Sequence, residues 1–506
     1  MMEAVKDKFL KKFLFALAFV EGGAVMCVEL SSAKILSPYF GTSIYVWASV
    51  LGVTLSALMS GYYLGGYISS NYKKKEIVYW LMFIGGVLIV LTPLISGIVL
   101  PFTIRLNLLV GSVFSLLSFL FIPLMLFGAT SPLIINLITN EVEGSGKSSG
   151  TVYAVSTLGG IIVTFSIGFY TFPQFGITKT LYTYGLLVIS VSLILFFVTK
   201  TFKFSALLIL LVGGLLLSFQ KKNLNKGVIY ISEGILGEIK VVDRELTSHD
   251  NSSKVYRELL VNNISQTVMD KENPFVSYWD YVNILTKNIL KFHKGDNVLL
   301  LGLGGGTLYK QLISNNLNVD IVELDGRIEM LAKEYFYIDD SVKVIVDDAR
   351  HFINTTNRKY DVIIYDLYHS ETPPIHLLTK EAFHEIRKKL NEGGILTINF
   401  YGFINGNLGK AARSIYKTLL EQNFDIRLLA TPGEEAERNL IFICKKGSFE
   451  NDEKIEDVWI RSSEIDLDDA LVLTDDKPIL EHIYLEAALM WRSGYNEVNT
   501  KYFLNN

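Results

Sequence analysis

Apolar residues dominate the first part of the chain in runs too long for the core of a soluble domain, then give way to short runs broken by polar turns. Segments of spanning length run from about Phe13 to Leu36, Tyr45 to Ile68, Ile77 to Leu100, Leu106 to Phe127, Val152 to Phe172, Leu181 to Val198 and Phe204 to Phe219. About 20 apolar residues cross the hydrocarbon core of a bilayer as a helix, so the pattern predicts about 7 membrane spans, the last the shortest. Small residues recur inside them, as in Gly61-Tyr-Tyr-Leu-Gly65-Gly66 and Gly159-Gly160. Such positions let helices approach closely in lipid, which predicts a packed bundle rather than a lone anchor.

After Lys226 the periodicity changes. From Val228 to Met269 it predicts short strands with polar turns, among them Gly237 to Val242 and Tyr256 to Val268. A helical stretch from Ser277 to Phe292 follows. The runs Asn297 to Gly302, Val319 to Leu324, Val342 to Val346, Val362 to Tyr365 and Ile395 to Phe400 are then spaced by helical segments, as in a doubly wound parallel sheet. The expected architecture is a multi-pass α-helical membrane bundle over residues 1–222, a small β unit over 227–290, and an α/β Rossmann-like, methyltransferase-type domain over 291–506.

Composition sharpens this division. Half of the 506 residues are hydrophobic, and most of the charged ones lie in the second half, so the net charge of -4 gives no sign of a nucleic-acid partner. The two cysteines, Cys27 and Cys444, supply neither a disulfide framework nor a cysteine-based metal site. Lys6 to Lys12, Lys73 to Lys75, Lys147, Lys200 and Lys203 fall on one side of the predicted spans, against Arg105 and Lys179 on the other, which places the N-terminus in the cytoplasm. A full seventh span would then carry the soluble half outside, while Lys221, Lys222 and Lys226 favour the inside. Glu21 and Glu29, about 80° apart on the first helix, either face one polar cavity or are hydrogen-bonded by neighbouring helices.

Candidate chemistry sits at the strand ends. Gly302, Gly304, Gly305 and Gly306 permit a tight turn and close backbone approach to a ligand. About 20 residues on, Glu323 is placed to take both hydroxyls of a ribose. Asp347-Asp348-Ala349 and Tyr365-Asp366 end the next two strands. Carboxylates at the C-terminal ends of successive parallel strands converge on the crevice where such sheets bind ligands, whereas a single one is as readily a helix cap.

These residues carry a family resemblance. Arg257-Glu-Leu-Leu-Val-Asn-Asn-Ile-Ser-Gln266, the Gly302 to Thr307 turn, Glu323-Leu-Asp325, Val346 to Ala349, Tyr360 to Asp366, Pro373 to Thr379 and Leu473-Thr-Asp-Asp-Lys-Pro478 together resemble the spermidine synthase family of aminopropyltransferases. With Glu29, Pro38 to Gly41, Trp47 and Gly61 to Gly66, the whole chain resembles the membrane-fused members of that family. The resemblance implies decarboxylated S-adenosylmethionine as co-substrate with no tightly bound cofactor, an amine such as putrescine as acceptor, and a possible homo-oligomer. It implies donor contacts from Gly302, Gly304, Glu323, Asp348, Ala349 and Pro373, with Asp366 as general base. It further implies acceptor contacts from Gln266, Tyr278, Asp280 and His369, with Tyr365 and Tyr368 adding ring faces, and a multi-pass protein of the cell membrane whose catalytic domain is cytoplasmic.

The departures concern the acceptor. Gly305 and His369 stand where soluble members carry aspartates, Gly237 stands where they carry a glutamine, and Tyr278-Trp279-Asp280 replaces a Tyr-His-Glu. Asp280, Glu371 and His376 are the candidates for restoring the lost acidity. Two other functions remain open: an S-adenosylmethionine-dependent methyltransferase, since the same sheet and carboxylates serve either donor, and a transporter whose soluble domain senses a nucleoside or polyamine.

Overall fold

The computed structural model describes residues 2–72, 74–139, 145–198, 227–234, 236–247, 253–292, 295–368, 371–449, 459–477 and 479–504. The chain divides into two compact units: Met1–Asn223 with Ser232–Glu238, and Leu224–Ile231 with Ile239–Asn506. The predicted span from Phe204 to Phe219 and the lysines that follow it lie outside the described residues.

In the first unit, helices α1 (Met2–Phe40), α2 (Ile44–Asn71) and α3 (Lys75–Thr103) follow one another. Then come α4 (Leu108–Leu116) and α5 (Ile122–Ile138), and after them α6 (Ser145–Ser166) and α7 (Phe172–Val198). Among the described residues five helical runs are long and apolar enough to cross a membrane, of 30, 28, 29, 31 and 52 residues. The fifth contains two of the segments predicted from sequence. Its 52 residues would extend far past a bilayer as one straight rod, but Gly176 breaks it with a φ of 76° and a ψ of 179°. Only glycine adopts that backbone without strain.

Two π-helical turns, Leu117–Phe121 and Ile167–Thr171, interrupt the long runs. Each lies just ahead of a proline, Pro123 or Pro173, whose missing N–H and bulky ring disrupt the regular ladder to the carbonyl four residues earlier.

The small residues account for the packing. A Cβ on Gly61 would lie 2.3 Å from the Met125 carbonyl oxygen, one on Gly65 2.3 Å from that of Ala129, and one on Gly159 1.9 Å from that of Phe19. Gly66 is different, because a Cβ there meets nothing within 4 Å. Gly61→Ala is therefore expected to lower the unfolding temperature of the detergent-solubilised chain by several degrees, and Gly66→Ala to leave it within a degree or raise it slightly. An unchanged melting curve for Gly61→Ala would contradict the backbone contact between α2 and α5. Glu21 is buried and accepts the Ser156 hydroxyl at 2.8 Å, whereas Glu29 is only half-buried, so these two carboxylates have different surroundings.

Strands β1 (Val228–Gly234), β2 (Gly237–Thr247), β3 (Ser253–Val261) and β4 (Ile264–Asp270) form an antiparallel sheet in sequence order. The stretch predicted as one strand from Tyr256 to Val268 is a hairpin. It turns at Asn262 and Asn263, whose φ values of 49° and 65° are the left-handed pair a two-residue hairpin requires. Helix α8 (Asp280–Phe292) then leads into an α/β sheet built from β5 (Asn297–Leu301), β6 (Asn318–Glu323), β7 (Val344–Val346), β8 (Tyr360–Tyr365) and β9 (Leu390–Tyr401). Strands β10 (Phe424–Ala430), β11 (Asn439–Lys446) and β12 (Trp459–Ile460) complete it.

The strand order is β12-β10-β11-β9-β8-β5-β6-β7, with β9 to β7 parallel and β10 to β12 antiparallel additions. This is the Rossmann-like, methyltransferase-type sheet. Leu299, Leu300 and Leu301 are at most 1% exposed because both faces of the sheet are covered, and the burial of each contributes about 2 kcal/mol. The chain reverses direction at β5, so its neighbours β6 and β8 lead away to opposite sides and open a crevice above their C-terminal ends.

Candidate active site

Register brings the strand-end residues to one level. Leu301 pairs with Val322 on one side and Tyr365 on the other, so Gly302, Glu323 and Asp366 emerge together at the C-terminal edge. One strand further out, Glu323 pairs with Val346, which puts Asp347 and Asp348 next in line. Backbone bonds from Gly302 to Val322, Asp347 to Glu323 and Asp366 to Leu301 continue the ladder past the strand ends.

The glycine turn is closely enclosed. Gly302 has a φ of 90°, and a Cβ there would lie 2.2 Å from the Asp366 carbonyl oxygen. At Gly305 a Cβ would meet Phe336 and Thr267, each at 2.7 Å, so an aspartate side chain at this position has no room. The Thr267 hydroxyl accepts the Gly305 N–H at 2.8 Å, and Gln266 of the same strand lies beside Gly304.

Glu323 ties the turn to the second strand. One carboxylate oxygen accepts the Leu303 N–H at 2.9 Å and the other the Asp325 N–H at 3.0 Å. Burial raises its carboxyl above the ordinary value, while those two amides draw it back down. Asp325, by contrast, caps α10 (Gly326–Phe336) and pairs with Arg327.

Asp348 caps α11 (Ala349–Thr355), accepting the N–H groups of Arg350 at 2.8 Å and His351 at 3.1 Å with one oxygen. Its second oxygen lies 3.2 Å from His376 Nε2, and Ala349 beside it is buried. Pro373 lines a small pocket with Tyr365, Leu377 and Asn399. The loop carrying Pro373 and His376 is tied down by Asp475, which accepts the Thr379 hydroxyl at 2.7 Å and pairs with Arg350 at 2.8 Å.

Asp366 has only neutral hydrogen-bond donors among the described residues. Asn399 donates to one oxygen at 2.9 Å and the Tyr281 hydroxyl to the other at 3.3 Å. Asn399 is itself oriented, because its own oxygen accepts the Asn439 amide at 2.8 Å. Burial raises the Asp366 carboxyl above the usual range, with the Asn399 and Tyr281 bonds opposing the rise. Tyr281 is pushed far upward in turn, by its burial and then by the Asp366 charge.

Several predicted residues lie away from this group. Tyr278 is 49% exposed and meets Tyr256 and Trp279 edge-on, Asp280 is exposed in the first turn of α8, and Tyr365 points into the core with the buried apolar residues. Glu371 is buried against Arg492, while His376 faces Asp348 rather than Asp366. His369 lies outside the described residues. Two residues that the sequence did not single out complete the Asp366 environment: Tyr281, one helical turn beyond Tyr278, and Asn399, whose signal was an amide inside the otherwise apolar run Ile395 to Phe400.

Residues 280–405 match the family model described as the spermine/spermidine synthase domain. The C-terminal part of the chain carries a spermine/spermidine synthase domain. A curated polyamine aminopropyltransferase of Vibrio vulnificus is 29% identical over 171 residues, 32% of this chain and 56% of the relative. An N-terminal histidine N-methyltransferase of Emericella nidulans is 32% identical over 116 residues, 22% of this chain and 21% of the relative. The solved structure of a probable spermidine synthase from Corynebacterium glutamicum shares 20% identity, covering 46% of this chain and 84% of that one with a TM-score of 0.37. The chain spans about half the length of the curated aminopropyltransferases it matches. The matched segment of the synthase domain contains Glu323, Asp348, Pro373 and Asp366, and the helical unit is fused ahead of it.

Proposed function

We propose that this chain is a membrane-anchored aminopropyltransferase that moves an aminopropyl group from decarboxylated S-adenosylmethionine to an amine. The observation that carries the reading is Asp366, a carboxylate enclosed at the crevice with neutral donors only among the described residues, inside the segment that matches the synthase model. In this reading Glu323 takes the ribose hydroxyls with its spare lone pairs, the second oxygen of Asp348 meets the base, and Pro373 and Ala349 flank the nucleoside. Gly302 and Gly304 let the backbone approach it.

An amine acceptor is an ammonium ion at neutral pH and has no lone pair to attack with. Asp366 attracts the ammonium and takes its proton. The nitrogen lone pair then forms a bond to the propyl carbon next to the sulfonium, the carbon–sulfur bond breaks, and its electron pair returns to sulfur as the neutral thioether methylthioadenosine. The Asn399 and Tyr281 bonds hold the carboxylate in place without neutralising it. Because the donor is made in the cytosol, the reading places the domain on the cytoplasmic face of the membrane.

Purified protein supplied with decarboxylated S-adenosylmethionine and a panel of amines is expected to release methylthioadenosine. No release with any amine overturns the proposal. A second reading, methyl transfer from S-adenosylmethionine itself, is favoured by the histidine N-methyltransferase among the relatives. Calorimetry separates the two: tighter binding of the decarboxylated donor supports aminopropyl transfer, and tighter binding of the intact one supports methyl transfer.

A further inference from the structure

Asp366 is surrounded by rings as well as by its two donors. Tyr281 reaches it from α8, Tyr368 follows it on the same loop, and the Tyr368 hydroxyl accepts the Tyr401 N–H from the end of β9. Helix α14 (Leu480–Leu504) adds Trp491, which stacks on Tyr401 at 4.1 Å and meets Tyr368 edge-on at 5.5 Å and Tyr495 at 5.9 Å. Tyr484, about two turns earlier on that helix, donates to the Tyr401 carbonyl at 2.6 Å and fixes the stacked pair to the sheet. Tyr281, Tyr368, Tyr401 and Trp491 are each part-exposed.

The charges around the cluster are distributed unevenly. Glu258 reaches Tyr495 but is paired with Arg244 at 2.8 Å, and Glu371 reaches Tyr484 but is buried against Arg492. Glu437 reaches Tyr401 from the surface, where it is exposed, and Asp280 is exposed beside Tyr281. Glu323, the other enclosed carboxylate at this edge, is turned to the Leu303 and Asp325 amides, so among the described residues around the rings Asp366 is the enclosed carboxylate without a cation. The enclosure therefore calls for a single positive charge at Asp366, with ring faces around it.

We infer that the acceptor is an amine bearing one ammonium, held at Asp366, on an apolar body that rests on Tyr368, Tyr401 and Trp491, rather than a diamine charged at both ends. This rests on the aminopropyl-transfer reading and names its substrate class. An apolar body gains by leaving water for the rings. The second ammonium of a short diamine loses hydration there and finds ring faces in return, with no second enclosed anion free of a cation beside the rings among the described residues.

The test uses the full chain in detergent with decarboxylated S-adenosylmethionine, methylthioadenosine release as readout, and pentylamine, phenethylamine and 1,4-diaminobutane as acceptors. The expected result is a kcat/KM about tenfold or more higher for the two monoamines than for the diamine. Trp491→Ala is expected to raise the monoamine KM about tenfold while kcat and the donor KM stay within about threefold, and Trp491→Phe to restore most of the loss. A preference for the diamine, or a Trp491→Ala enzyme with unchanged monoamine KM, overturns the inference while leaving aminopropyl transfer intact. No release with any amine overturns both.

Discussion

Replacing Asp366 by asparagine is expected to cut aminopropyl transfer by about 10²- to 10⁴-fold, the usual worth of a positioned general base, while donor affinity changes little. Asparagine keeps the shape of the site, and its oxygen can still accept from Asn399, but it can neither take a proton nor attract a cation. In the wild type, burial raises the Asp366 carboxyl above its usual range. A base must be ionised to act, so activity is expected to rise with pH through that raised value and to be lost below it. The same shift has a stability consequence of opposite sense. A carboxyl whose pKa is raised on folding favours the folded state while protonated, and that contribution disappears as pH rises through the folded-state value. Asp366→Asn removes the buried charge, so the inactive variant is expected to melt at a temperature equal to or above the wild type at pH 7 and higher. Circular dichroism melting alongside methylthioadenosine release checks both halves. Retained turnover disproves the base assignment, and a large drop in melting temperature shows that Asp366 is structural.

Arg492→Ala is expected to destabilise the C-terminal unit by about 3–5 kcal/mol. The Arg492 and Glu371 side chains are 3% and 4% exposed and joined in an ion pair between α14 and the segment after β8. Removing the cation strands a carboxylate in an environment that cannot solvate it, which is far costlier than the pair itself is worth. The double variant Arg492→Met with Glu371→Leu fills the same space without charge and is expected to regain most of the loss. If the double variant melts as low as Arg492→Ala, the effect comes from lost packing of the arginine stem and not from the unpaired charge. Because Trp491 is its neighbour on α14, the pair also holds the ring that stacks on Tyr401, so acceptor KM is expected to rise in Arg492→Ala and recover in the double variant.

The legible part of this protein is the part that local chemistry specifies. Runs of 20 and more apolar residues announce membrane-length helices, because no irregular backbone satisfies its hydrogen bonds in lipid. Short β-rich runs separated by amphipathic helices announce a parallel sheet, and residues such as Gly302, Glu323 and Asp366 can be placed at strand ends because the strand ends can be counted. The division of the fifth apolar run at Gly176 could be read as two segments, but the sharp φ of 76° that joins them is a backbone property with no side-chain pattern behind it. Asp280 and Glu371 illustrate the opposite limit. As letters both are plausible amine ligands, yet the first is exposed at the start of α8 and the second is held by Arg492, 121 residues further along the chain.

From the sequence alone follow the membrane-length helices, the Rossmann-like sheet and the carboxylates at its C-terminal edge, since hydrophobic period and strand-end position depend only on neighbours within a few residues. Only the tertiary structure decided what surrounds Asp366. Asn399 comes from the adjacent strand, Tyr281 from a helix 85 residues earlier and Trp491 from a helix more than 100 residues later, and no local pattern encodes which distant residues packing will bring to one carboxylate.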